Sequence, residues 1–209
     1  SMALHSYTAS FNFNLFKNLV NLEFDNDSSD INLLLGNLKQ YENSTNHLLP
    51  KLRNLKILKT NLSSKTLLDL IAEAPNLTSL SLIQCDALFM TGFLAYNSNN
   101  QQEKQFQLNN LKELSLSKNR YLSDFLLNIF LNETTVQNLT DLDLSYCYMT
   151  KSNFKSISNF KNSNSMPNFT TNSFSLSSGN VMLTIDNLIK QVENMKKLKT
   201  INLSGIDLF

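Results

Sequence analysis

The sequence predicts an α/β solenoid, in which strand–helix units follow one another and share one parallel sheet. Three observations predict it. Leu77, Leu80, Leu82 and Cys85 have a spacing that returns as Leu111, Leu114, Leu116 and Asn119, and again as Leu139, Leu142, Leu144 and Cys147. The segments between these cassettes carry apolar residues at helical spacing, as in Leu34, Leu35 and Leu38. The units recur roughly every 25 to 35 residues, too short a period for a self-sufficient domain. A single strand–helix unit cannot bury its own leucines, whereas stacked neighbours share a continuous core.

The spacing is the pattern L-x-x-L-x-L-x-x-[N/C]-x-L of leucine-rich repeats. It implies about seven strand–helix repeats in a right-handed arc with a concave parallel sheet. One domain over 1–209 is expected, with 1–18 as an N-terminal cover and 19–209 as repeats. Within the cover, Phe11, Phe13 and Leu15 alternate with polar residues like a short strand. The first repeat holds Leu19, Leu22 and Phe24, with Asp27 at the Asn/Cys position and Asp30 capping a helix over 31–41. The second holds Leu52, Leu55, Ile57, Thr60 and Leu62. Ser63 or Ser64 then caps a helix over 65–74, which Pro75 stops.

The third repeat leads into a short helix near 91–96 and a polar insertion over 97–107. In the fourth, Ser123 caps a helix over 124–131, and the fifth ends at Thr150 before a helix of Phe154, Ile157 and Phe160. A loop over 161–168 follows. The gap from Leu139 to Leu198 spans about two repeat lengths, so a degenerate unit is expected there. Phe174, Leu176, Gly179 and Val181 are its candidates, with a helix over 185–195 behind them. The two polar insertions, 97–107 and 162–168, lack an apolar face to offset the cost of ordering and are expected to move.

The last repeat is Leu198, Ile201, Leu203, Ile206 and Leu208, and the sequence stops at Phe209 with no polar cap. Leu203, Ile206, Leu208 and Phe209 are therefore expected to form an apolar end. Either the array continues in a longer natural chain, or that end associates with another copy or a partner.

Composition excludes several functions. Eighteen Lys and Arg against seventeen Asp and Glu leave a net charge of +1, with no basic run of the kind that binds nucleic acid or a membrane surface. No apolar run is long enough to span a bilayer, and the N-terminus lacks the pattern of a signal peptide. Asparagine makes up about 15% of the chain, a bias expected to settle in loops. Asn-x-Ser/Thr sequons, among them Asn76 and Asn138, are no more frequent than this composition produces by chance. The two cysteines share one repeat position two units apart, about 10 Å from each other and too far for a disulfide. They are expected to be buried structural thiols, which places the chain in the cytoplasm or nucleus.

The stretch from Ala74 to Leu94 resembles the cysteine-containing repeats of F-box/LRR proteins, with the pattern C-P-x-L-x-x-L-x-L-x-x-C-x-x-L-T-x-x-G-L. Pro75, Leu77, Leu80, Leu82, Cys85, Leu88 and Gly92 match it, while Ala74 replaces the first cysteine. Residues 139–157 match more loosely, through Cys147 and Thr150. The resemblance implies the substrate-recognition part of a ubiquitin ligase receptor, whose F-box is a separate segment with no counterpart here. Ribonuclease-inhibitor-like and effector proteins share similar repeats.

No catalytic, metal or cofactor site is expected. His5 and His47 are isolated, and Asp141 with Asp143 reads as two solvated acids on one strand face rather than a general acid/base pair. The concave face is expected to bind another protein through Lys56, Leu58, Lys59, Ile83, Gln84, Lys118, Asp141, Asp143 and Tyr146. Glu23, Asp25, Ser81, Glu113, Ser115, Ser145, Ser173, Ser175, Asn202 and Ser204 complete that face. Leu58 and Ile83 are apolar where small polar residues would serve, and Tyr146 offers large contact area at low entropic cost. The alternative function is a scaffold segment of a longer repeat protein, or an effector with no ligase role.

Overall fold

The computed structural model describes residues 2–4, 17–25, 47–60, 62–86, 108–122, 124–150 and 183–208. The helices expected over 31–41, 91–96 and at Phe154 to Phe160 lie outside these residues. So do the Phe11 to Leu15 strand, the insertions 97–107 and 162–168, and Asp27, Leu88, Gly92, Ser173 and Ser175.

Alternation of leucine with polar residues produces short strands, and the strands stack into one sheet. Strands β1 (Met2–Leu4), β2 (Asn21–Asp25), β3 (Asn54–Leu58), β4 (Ser79–Ile83), β5 (Glu113–Ser115) and β6 (Asp141–Asp143) pair in sequence order. Two short strands follow, β7 (Tyr148–Thr150) and β8 (Leu183–Thr184), before β9 (Thr200–Asn202) pairs with β6 to complete a seven-stranded sheet. Every pairing in it is parallel. Register aligns the cassettes: Leu22, Leu55, Leu80, Leu114, Leu142 and Ile201 are successive partners. From Leu22 through Leu142 these side chains are at most 2% exposed. Each buried leucine contributes roughly 1.5–3 kcal/mol, and a slip by one residue would turn the row outward.

Helices return the chain between strands. Ser63 caps the helix Ser64–Ala72 by accepting from Thr66 N at 3.1 Å, and Leu67, Leu70 and Ile71 bury its inner face. Glu73 ends that helix two residues before Pro75, and its carboxylate accepts from Leu48 N at 2.8 Å, which ties the helix end to the preceding loop. The helix Asp124–Phe130 buries Leu127 and Phe130. A four-residue helix, Glu133–Val136, follows; Asn132 caps it by accepting from Thr134 N and Thr135 N. Among the described residues no helix is long and apolar enough to cross a membrane.

Asparagines do more than fill loops. Asn76, Asn110 and Asn138 each stand just before the first leucine of a cassette. Their side-chain amides donate to Pro50 O, Pro75 O and Asn109 O of the unit before, at 2.8 to 3.1 Å. The sequons at Asn76 and Asn138 therefore have their amides committed to the stack.

Phe174, Leu176, Gly179 and Val181, the candidates for a degenerate repeat between Leu139 and Leu198, lie outside the described residues. Asp141, Leu142 and Asp143 pair directly with Thr200, Ile201 and Asn202, leaving no strand of another unit between them. Instead, β7 pairs with β8 (Met149 with Leu183, Thr150 with Thr184), and β10 (Asp207–Leu208) joins β7 from the other side. The strand that ends at Thr150 thus lies directly beside the one that begins at Leu183. Residues 2–4 supply one of the seven strands of the main sheet. Thr184 then caps the helix Ile185–Glu193, and Asp124 holds that junction by accepting from Thr184 N at 2.7 Å and Thr184 Oγ1 at 2.6 Å. Burial raises the pKa of Asp124, and the bonds from Thr184 oppose that rise.

At the far end, Ile201 is 39% and Leu203 40% exposed, although their register equivalents are buried. Ile206, expected to be exposed, is half-buried against the core. On the helix Ile185–Glu193, Asn187 and Gln191 bond to Asn128 of the preceding unit. Ile189, 52% exposed, lies on the opposite side of that helix, toward the same open end.

Candidate functional site

Register converts the alternation into rows across the sheet. One row runs Glu23, Lys56, Ser81, Ser115, Asp143 and Asn202, and the next contains Asp25, Leu58 and Ile83. Except for Asp141, which stands in register with Glu113 and Thr200, the expected binding residues divide between these rows and a third at the sheet's edge.

Charges on the strand face are largely engaged with neighbours. Lys56 Nζ lies 2.8 Å from Glu23 Oε1, so Lys56 is no free cation in a basic centre. Asp143 accepts from Ser115 Oγ at 2.9 Å and from Ser145 N at 3.0 Å. Asp141 accepts from the hydroxyls of Thr140 and Thr200, which hold its carboxyl below the usual range. These two acids are therefore hydrogen-bonded to their neighbours in the sheet while still reaching solvent. Ser145, expected on the face, is buried because the chain turns away after Leu144. Leu58 and Ile83 are register partners and stand half-buried side by side, an apolar step between the polar rows.

The third row was not legible as such. Lys59, Gln84, Lys118 and Tyr146 have φ of 49°, 55°, 61° and 58°, and Gly205 has 64°. All five occupy one repeat position, immediately before the Asn/Cys position. The left-handed region costs a side-chain-bearing residue roughly 1–2 kcal/mol, and here four consecutive units accept that cost. The bend aims each N–H at the next unit: Lys59 N to Ile83 O, Gln84 N to Ser117 O, Lys118 N to Ser145 O and Tyr146 N to Ser204 O, at 2.8 to 3.1 Å. Side chains of all four point into solvent. Only Gly205 hinted at this geometry in the sequence, since glycine adopts it without strain.

Comparison of the chain with protein-family models, curated proteins and solved structures finds no match. Function must therefore be argued from the surface itself.

Tyr146 is the exposed aromatic of this edge, at 57%. Its ring lies against Gly205, where an added Cβ would stand 2.4 Å from Cε1. Lys118 Nζ sits 5.9 Å from the ring centroid on the neighbouring unit, within cation–π range. The tyrosine is thus held between a glycine backbone and an ammonium while most of its surface stays open.

One residue further along, a buried ladder anchors the row. Asn119 donates to Leu82 O and Leu116 O at 2.7 Å and accepts from Cys85 N at 2.7 Å. Cys147 Sγ donates to Leu116 O at 3.1 Å, and Cys85 Sγ lies 3.8 Å from Thr60 Oγ1. Both cysteines are free and buried, as expected. Burial pushes the Cys85 thiol up and the Cys147 thiol up to about 11, despite bonds that act the other way. Such thiols are packing elements, not nucleophiles. Among the described residues no group of three His, Cys, Asp or Glu side chains is placed to hold a metal ion.

Proposed function

We propose that this chain is a leucine-rich-repeat recognition module that binds a protein partner on its strand face and the adjoining left-handed edge. One observation carries the reading. Four exposed side chains stand in strained backbone conformations at one repeat position, with an apolar pair, Leu58 and Ile83, beside them. Backbone strain of this kind clusters at ligand-contacting sites, and here the bonds between units hold four side chains out along one edge. The repeat register and the Thr60, Cys85, Asn119, Cys147 ladder support a right-handed solenoid of this repeat class. The likeness around Pro75 to Leu82 and Cys85 supports the F-box/LRR type, in which such a module presents substrates to a ubiquitin ligase.

The test is capture of a partner from a lysate of the source cell by the intact chain and by a Leu58→Asp/Ile83→Asp variant of unchanged fold. A specific partner retained by the wild type and lost by the variant is expected. A partner held equally by both refutes the assigned face. The ligase role has a separate readout: removing the protein from cells should lengthen the captured partner's lifetime, and an unchanged lifetime leaves recognition without that role.

A further inference from the structure

We infer that the left-handed edge is a docking site for an acidic, extended peptide segment bearing an aliphatic or aromatic residue. This rests on the recognition reading and gives it a partner chemistry. Electrostatics single the edge out. On the strand face Lys56 is paired with Glu23, and Asp141 and Asp143 accept hydrogen bonds from their neighbours. On the edge, the side chains of Lys59, Lys118 and Arg120 are exposed and have no ion-pair partner among the described residues. Against these three cations stands Asp86, which accepts from Arg120 N at 2.9 Å and keeps its negative charge, so the patch retains an excess of positive charge.

Successive units are about 4.8 Å apart, which separates the Lys59 and Lys118 backbones by about 10 Å. That is about three residue steps of an extended peptide, so two carboxylates three positions apart, with an apolar residue between them, match the two ammonium groups. The apolar residue has two surfaces to meet. Leu58 and Ile83 lie one position inside the row, and Tyr146 is held open over Gly205 with Lys118 on its face. A ring held in place before binding loses little entropy on contact. Nucleic acid fits less well: a phosphate backbone is charged along its whole length and would run from the edge onto Glu23, Asp25, Glu113, Asp141 and Asp143 of the adjoining face, whereas a peptide need carry carboxylates only at the edge.

The experiment is selection of a random linear peptide library on the immobilised intact chain, with affinities of enriched peptides measured against variants. Enriched peptides should carry Asp or Glu beside an aliphatic or aromatic residue. Lys59→Glu/Lys118→Glu should weaken them at least about tenfold, and Tyr146→Ala should weaken them as well. Binding should also fall as salt rises from about 0.05 to about 0.5 M. The charge-matched Lys112→Glu/Lys199→Glu variant, altered at the strand entrances, should bind like the wild type.

Peptides without acidic residues, or equal weakening by both charge-reversal variants, would overturn the inference. So would lysine-dependent retention of a single-stranded oligonucleotide in place of peptides. Absence of enrichment also overturns it; if the captured partner still depends on Leu58 and Ile83, the recognition reading survives.

Discussion

Replacing Asn119 with alanine should be among the most damaging single changes available in this chain. The side chain is fully buried and joins two units. Its two amide protons go to Leu82 O and Leu116 O, with Ser117 O a longer third contact at 3.2 Å, and its oxygen receives Cys85 N. Alanine leaves the Cys85 N–H unpaired in the interior, which costs roughly 1–3 kcal/mol, and withdraws a donor from Leu82 O at roughly 1 kcal/mol. Leu116 O keeps a partner in Cys147 Sγ. The emptied amide volume adds roughly 1 kcal/mol, for a total of about 3–5 kcal/mol.

Against a domain stability of roughly 5–15 kcal/mol, that is a large fraction. Urea unfolding followed by circular dichroism should show the loss as a lowered midpoint. Asn119→Cys should recover part of it, because neighbouring units place a thiol there; the recovery is incomplete because sulfur accepts weakly from Cys85 N. A cost below about 1 kcal/mol for the alanine variant, or a cysteine variant no better than alanine, would refute the ladder argument.

Three other changes bear on the edge, the thiols and the open end. Gly205→Ala should destabilise by roughly 1–2 kcal/mol, since it combines a left-handed φ with a clash against the Tyr146 ring; in Tyr146→Ala/Gly205→Ala the steric part should vanish in a double-mutant cycle. Native Cys85 and Cys147 should react slowly with a thiol reagent and fast once unfolded, so rapid native labelling of both would contradict their burial. The folded Cys147 thiol titrates near 11 against an ordinary 9.0. Its contribution to stability is therefore complete below about pH 9 and lost as pH rises through 11, and Cys147→Ser should flatten that alkaline loss. Finally, Ile201→Lys/Leu203→Lys should abolish concentration-dependent association in sedimentation velocity, because those side chains leave repeat-core positions open; association of undiminished strength would place the contact elsewhere.

The repeated leucine spacing by itself determined which residues turn inward from Leu22 to Leu142 and the order of β2 to β6. Alternation with period two can be satisfied only by burying Leu22 to Leu142 in register, and the parallel order follows from units too small to fold alone. The burial and separation of the two cysteines were legible for the same reason, as was the Ser63 cap. The cap at Asn132, followed by Glu133 and two threonines, was present in the sequence as a helix-start signal and went unread.

What the tertiary structure decided is what depends on neighbours rather than on spacing. The direct pairing of β6 with β9, and of β7 with β8 at Thr150 and Thr184, rests on contacts that no spacing in the sequence announces. Whether Lys56, Asp141 and Asp143 are free or engaged depends on side chains one unit away, at sequence separations of up to 59 residues. The left-handed row escapes sequence reading for a further reason. Lysine, glutamine and tyrosine carry no intrinsic preference for positive φ; the conformation is imposed by the bond each N–H makes to the next unit in the stack.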